Sequence, residues 1–195
     1  MLAVKPYNRE RAVEYALKWA NDRNPLFVDF TGIGGNCTNF VSQALLAGSC
    51  TMNYTPDFGW YYVNESDRAP AWSGVEFLYD FLTGAPAFLE KNGGVGPFAV
   101  EVPRERVEIG DVAQYANRSG DWYHTVMVTG FDGEEILVSA QSNDALDRPV
   151  SSYRNAVTKR YLHIEGVRFE VNDDLCFERL ISGTAEPPEE NDRVE

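Results

Sequence analysis

Three side chains of this sequence could together carry out nucleophilic chemistry: Cys37, His124 and Gln141. Cys37 follows Gly34-Gly35-Asn36, a pattern that ends a loop and opens a helix. Phe40, Val41, Ala44 and Leu45 then recur at helical spacing and place Cys37 on the same stripe, in the first turn. A thiol there feels the positive end of the helix dipole, which favours thiolate and so nucleophilicity. A buried structural cysteine would occupy the same stripe. The stretch alone leaves both readings open.

His124 heads the apolar run Thr-Val-Met-Val-Thr-Gly130, which reads as a strand. Asp132-Gly133 is a strong two-residue hairpin signal, and Glu135 to Gln141 reads as the return strand. With Asp132 and Gly133 as the two loop residues, His124 falls directly opposite Gln141 and on the same face. That supplies a base and a polar group to orient it. A one-residue slip would move Gln141 to the other face, and a surface His–Gln pair would be ordinary. Asn143 and Asp144 are further candidate orienters, one beyond His124 on the same face and one of opposite parity. His163, between Leu162 and Ile164, reads as a partner in a structural hydrogen bond.

The elements that must position these groups follow from the chain in order. After a short lead-in, Asn8 is a good N-cap for a helix over 9–21 that buries Ala12, Tyr15, Ala16, Trp19 and Ala20. Asn24-Pro25 breaks it, and residues 26–35 form a loop, with Asp29 a turn residue, that delivers the chain to Cys37. Gly48 is a plausible stop for the Cys37 helix. Residues 49–72 carry Tyr54, Phe58, Trp60, Tyr61, Tyr62 and Trp72 without a regular period. They read as a long loop whose aromatics either line a groove or pin the loop. Ser73-Gly74-Val75-Glu76 reads as a capping box for a helix with Val75, Leu78, Phe81 and Leu82 inward and Gly84 at its end. Residues 93–97 read as a loop, and 110–115 and 160–165 alternate as half-buried strands. Further strands are expected near 167–171 and 176–180. From Ser182 the chain turns to Gly, Thr, Pro and acids, so one domain over 1–181 and an acidic disordered tail over 182–195 are expected.

The 195 residues, 44% hydrophobic and 13% aromatic, suit one domain with a sizeable core. No apolar run approaches a membrane span, and no signal peptide is seen. The default location is cytoplasmic, or secreted or wall-associated for a processed form. The net charge of -13 argues against nucleic acid and suits a cationic or neutral substrate. Cys37, Cys50 and Cys176 are too few for a disulfide framework, and the odd count leaves a free thiol. With two histidines and no ligand spacing, neither a metal nor another cofactor is expected.

A helix-opening cysteine, then a strand histidine, then a polar residue on the next strand is the order of papain-like hydrolases. The sequence resembles the bacterial putative amidase domain family, a branch of papain-like cysteine peptidases and amidases related to CHAP and NlpC-type cell-wall enzymes. The resemblance covers roughly residues 5–168. It rests on Tyr7-Asn8-Arg9 with Ala12 and Tyr15-Ala16, the block from Gly34 to Gln43, and Trp72-Ser73-Gly74-Val75-Glu76-Phe77-Leu78. Gly110-Asp111-Val112, the His124 strand and Ser142-Asn143-Asp144 complete it. The resemblance implies an α+β fold, papain-like or NlpC-like, with N-terminal helices packed on an antiparallel sheet. It implies Cys37 as nucleophile, His124 as base and Gln141 as orienter, acting on a peptide or peptidoglycan stem. Two positions depart from the family pattern. Asn36 stands where Asp usually precedes the cysteine, and Gln141 where His usually holds the third position. These departures motivate an alternative, a catalytically impaired binding module that works through the aromatic 54–72 loop. Acyl transfer to an amine would use the same residues as hydrolysis.

Overall fold

The computed structural model describes residues 2–171, 173 and 175–185. In chain order its elements are β1 (Ala3–Lys5), α1 (Arg9–Trp19), α2 (Cys37–Ser49), the short pair β2 (Tyr62–Asn64) and β3 (Asp67–Arg68), α3 (Pro70–Ser73), α4 (Val75–Thr83) and α5 (Pro86–Asn92). There follow β4 (Gly96–Val102), β5 (Val112–Ala116), β6 (Trp122–Asp132), β7 (Glu135–Ala140), β8 (Ala145–Pro149), β9 (Thr158–Phe169) and α6 (Cys176–Ser182). Apart from β1 and α6, helices come first and the strands of the main sheet later, which makes the chain α+β. The sheet is antiparallel throughout, in the order β4-β9-β5-β6-β7-β8, and β1 pairs with the far end of β9 on the same edge as β5.

Alternation along the central strands divides the core in two. Val112, Met127 and Leu162 point to the helices, whereas Ala113, Tyr115, Val126 and Val128 build a second cluster on the opposite face with Ile136 and Val138. Both faces of the sheet are therefore covered. The centre of the helical layer is α2, all of whose residues are buried. Phe40 and Leu45 lose all solvent contact there, and truncating such a side chain costs about 2–5 kcal/mol. Three buried polar residues of α2 accept hydrogen bonds from aromatic side chains. Gln43 Oε1 accepts from the Tyr15 hydroxyl at 2.7 Å, Ser42 Oγ from Trp60 Nε1 at 3.0 Å, and Asn39 Oδ1 from Trp72 Nε1 at 2.7 Å.

Asn8 caps α1 as expected, its Oδ1 accepting from the Arg11 N–H at 3.0 Å. His163 Nδ1 donates to Asp111 Oδ2, 3.0 Å away, in a cluster with Arg9 that ties α1 to β9. Several expectations need correction. Gly48 does not stop α2: it lies inside the helix, where a Cβ would sit 2.4 Å from the Tyr7 ring, and Cys50, at φ 45°, makes the left-handed cap. Ser73 closes α3 instead of capping α4, and its Oγ accepts from Arg68 Nε at 3.1 Å. The 176–180 stretch is helix α6, joined to the end of α2 by a Cys50–Cys176 disulfide with Cα atoms 5.7 Å apart. Of the expected tail, Ser182 ends α6 and residues 186–195 lie outside the described residues.

Candidate active site

Loop 30–36 sets Cys37 at the first position of α2. It turns through Gly34 and Gly35 at φ 106° and 104°, a conformation that residues with a Cβ rarely adopt. Asn36 then does not cap the helix. Its Oδ1 accepts from the Phe30 N–H at 3.0 Å and from Asn39 Nδ2 at 2.7 Å, and its Nδ2 donates to Gln141 Oε1. Its own N–H donates to Ser142 Oγ. No side chain caps the first N–H groups of α2, and no hydrogen bond to the Cys37 N–H is found among the described residues. Cys37 is the one described free cysteine and is 7% exposed.

Cys37 and His124 line the same open cleft, of about 590 Å³, with Ser142, Tyr123, Tyr153 and Arg148 around them. His124 is packed by three phenol rings. Tyr115 lies across from it on β5 with ring centroids 5.9 Å apart, Tyr153 is 5.7 Å away, and Tyr123 lies almost parallel at 6.1 Å. Burial, and secondarily the charge of Arg148, push the imidazole down from 6.5 to about 4. It is therefore neutral at pH 7, the form that accepts a proton.

Behind the cysteine, a polar chain crosses three strands on the helix-facing side of the sheet. Thr38 Oγ1 meets Thr125 Oγ1 at 2.9 Å, Gln114 Nε2 reaches Thr125 Oγ1 at 3.3 Å, and Arg160 Nε donates to Gln114 Oε1 at 2.8 Å. The Arg160 guanidinium lies between the rings of Tyr79 and Trp122, at 3.6 and 3.9 Å.

The structure does not bring Gln141 to His124. Asp132 pairs with Glu135, so the two loop residues are Gly133, at φ 58°, and Glu134. A bulge between Val128 and Gly130 then shifts the register again, and Val128 faces Val138. The net effect is the one-residue slip that moves Gln141 to the helix-facing side. There, 1% exposed, it donates Nε2 to the carbonyls of Trp19 and Asp22, each at 2.7 Å, and accepts from Asn36. Ser142, with a strained φ of 86°, faces the cleft with His124 instead. Asn143 also lines the cleft, and Asp144 turns to Arg23 at 2.9 Å. No hydrogen bond to the His124 ring from Gln141, Asn143 or Asp144 is found among the described residues.

The aromatic stretch is mostly internal. Trp60 and Trp72 are fully buried, while Tyr54 and Tyr62 line a separate cavity of about 650 Å³ beside the disulfide. The aromatics of the cleft come from Tyr123 and Tyr153, which sequence reading did not single out. Their signal was weak: Tyr123 adjoins His124, but Tyr153 lies in an irregular segment. Among the described residues no group of three or more His, Cys, Asp or Glu could hold a metal ion, and no helix is long and apolar enough to cross a membrane.

Fold and site define an α+β protein whose free cysteine opens a buried helix and shares a cleft with a histidine of the sheet. The chain belongs to the family described as "Putative amidase domain", whose sequence model matches residues 6–164. Among curated proteins it is similar to Uncharacterized protein YhbB of Bacillus subtilis (strain 168), 32% identical over 167 residues that cover 81% of this chain and 50% of that protein. It is also similar to Uncharacterized protein YjcM of the same organism, 28% identical over 155 residues that cover 75% of this chain and 34% of that protein. The chain thus spans half or less of the length of these relatives. No solved structure matches it.

Proposed function

We propose that this chain is a cysteine-type amide hydrolase of papain-like or NlpC-like design, acting on a peptide or a peptidoglycan stem. The observation that carries this reading is the placing of a free thiol at the start of α2 and a neutral imidazole in one cleft. Cys37 Sγ attacks the amide carbon while His124 takes the thiol proton. The carbonyl oxygen becomes an oxyanion, which the unbonded Cys37 N–H and the helix dipole stabilise. Collapse of the intermediate expels the amine, which receives the proton from His124, and leaves a thioester. Water, deprotonated by His124, then releases the acid and restores the thiol. With no orienting carboxylate found on the imidazole among the described residues, packing by Tyr115, Tyr123 and Tyr153 holds the ring.

The disulfide between Cys50 and Cys176 favours an oxidising compartment over the cytoplasm. That suits a wall substrate better than the default location read from the sequence. Burial of Trp60 and Trp72 weakens the alternative of a binding module built on the aromatic loop.

The test is turnover of fluorogenic peptide amides and peptidoglycan fragments by the wild type, Cys37→Ala and His124→Ala. Release of amine that both variants abolish supports the reading. A Cys37→Ala variant that retains turnover, or a wild type that binds these substrates without cleaving them, overturns it.

A further inference from the structure

The protein carries 30 acidic side chains and 17 cationic ones, yet among the described residues no acid lines the cleft that holds Cys37 and His124. Its charged lining consists of Arg148 and Arg154. The cleft continues past Tyr123, Arg154 and Asn155 into a second groove, also without an acid among the described residues, where Arg118 is added. Among the described residues none of these three arginines has an ion-pair partner. Arg148 rests on the Tyr153 ring at 4.5 Å and donates Nε to Ser152 Oγ at 2.8 Å, which leaves the rest of its guanidinium fork free.

Neighbouring carboxylates are engaged elsewhere. Asp144 pairs with Arg23, Asp147 Oδ1 accepts from Thr129 at 2.7 Å, Asp121 Oδ2 accepts from Asn117 at 3.0 Å, and Glu135 Oε1 accepts from the Ser151 N–H at 3.1 Å. A cleft of one sign on a surface of the other focuses the field where the ligand enters. A guanidinium fork matches a carboxylate in charge and shape.

We infer that the substrate carries a carboxylate beside the scissile amide, and that Arg148 and Arg154 receive it. This inference rests on the amidase reading for the word substrate, but the anion site itself does not depend on turnover. It reverses what net charge suggested, because the balance of the whole chain is not the balance at the cleft. The carboxylate has two possible sources in a peptide, an acidic side chain or the α-carboxylate of a terminal residue.

The experiment uses two alkylating probes on the intact chain. Iodoacetate carries a carboxylate and iodoacetamide does not, and both alkylate Cys37 with loss of iodide. The ratio of their rate constants at Cys37, read by peptide mapping, is compared with the ratio for free cysteine under the same conditions. Two partly exposed guanidiniums are expected to raise the ratio about five-fold over the free thiol at low salt. Arg154→Gln and Arg148→Gln should each lower it, and 0.5 M salt should largely erase it. A ratio equal to or below that of free cysteine overturns the inference, as does a cleft in which Cys37 takes neither probe. A raised ratio without turnover of any amide leaves the anion site standing and removes the hydrolase reading alone. For an active protein, matched peptides distinguish the sources: Glu against Gln beside the scissile bond with an amidated terminus, and Gln with a free terminus. Equal kcat/KM on all three overturns the inference, whereas preference for one charged member names the source.

Discussion

The side-chain amides of Asn36 and Gln141 hold one another beside the Cys37 cleft, Asn36 Nδ2 donating to Gln141 Oε1. The contact ties the residue before Cys37 to the end of the β7 strand. Gln141 cannot turn its amide, because Nε2 is committed to the carbonyls of Trp19 and Asp22. Asn36 cannot turn either, because its Oδ1 serves the Phe30 N–H. Asn36→Asp therefore sets a carboxylate against the Gln141 carbonyl oxygen, and we expect a loss of about 2–3 kcal/mol of stability in urea unfolding. Adding Gln141→His restores a donor toward residue 36. The double variant should recover at least about 1 kcal/mol relative to the sum of the two single losses. Additive losses would show that the positions are not coupled.

Under the proposed mechanism, the neutral state of His124 sets the acid side of activity. Its pKa of about 4 keeps the base form available well below the ordinary histidine value of 6.5. The acid limb of kcat/KM should accordingly fall near pH 4. Arg148→Gln should move it upward only in part, since burial is the larger cause. Stability follows the same group. Between pH 6.5 and 4 the unfolded chain takes up a proton that the folded one refuses. The contribution is thus complete above 6.5 and is lost as pH falls toward 4, by about 3 kcal/mol in all. Imidazole NMR titration of the wild type, with His124→Ala to assign the resonance against His163, gives the pKa directly. A value near 6.5 would contradict the burial argument.

The sequence carried the strands through alternation at 110–115 and 160–165 and through the apolar run over 124–130, and it carried Cys37 through the helical stripe that follows it. Those signals are local. Register is not: one turn residue and one bulge at Val128–Gly130 decided whether Gln141 meets His124, and no spacing rule reads a bulge. The 49–72 stretch was opaque for a different reason. Its tryptophans satisfy buried polar atoms of α2, a long-range requirement with no period in the chain. Cys176–Leu180 carries too few residues to separate strand from helix by pattern, and the bridge to Cys50 is set by tertiary proximity alone.

The chain from Thr38 to Arg160 should fix the Cys37 helix on the sheet. Thr125→Val keeps the shape and removes the hydroxyl that receives both Thr38 and Gln114. A loss of about 1–2 kcal/mol is expected. Gln114→Leu should cost more, about 2–3 kcal/mol, because it strands Arg160 Nε and the Val75 carbonyl together. Urea melts measure both, and the order of the two losses is the critical result. Equal or reversed losses would mean that Gln114 is not the hub of the chain.

The disulfide makes a prediction that does not pass through the cleft. Cys50 caps the end of α2, a full helix away from Cys37, and Cys176 opens α6 against it. Peptide mapping without reductant should find Cys50 linked to Cys176 and Cys37 as the one free thiol. Replacing both linked cysteines by serine removes a cross-link over 126 residues, and a loss of about 2–4 kcal/mol is expected. The iodoacetamide rate of Cys37 should nevertheless stay within two-fold of the wild type, since the bridge leaves loop 30–36 and His124 untouched. A large change in that rate would mean that the far end of α2 governs the position of its first turn. An unchanged Tm on removing the pair would mean that the link contributes nothing to the fold.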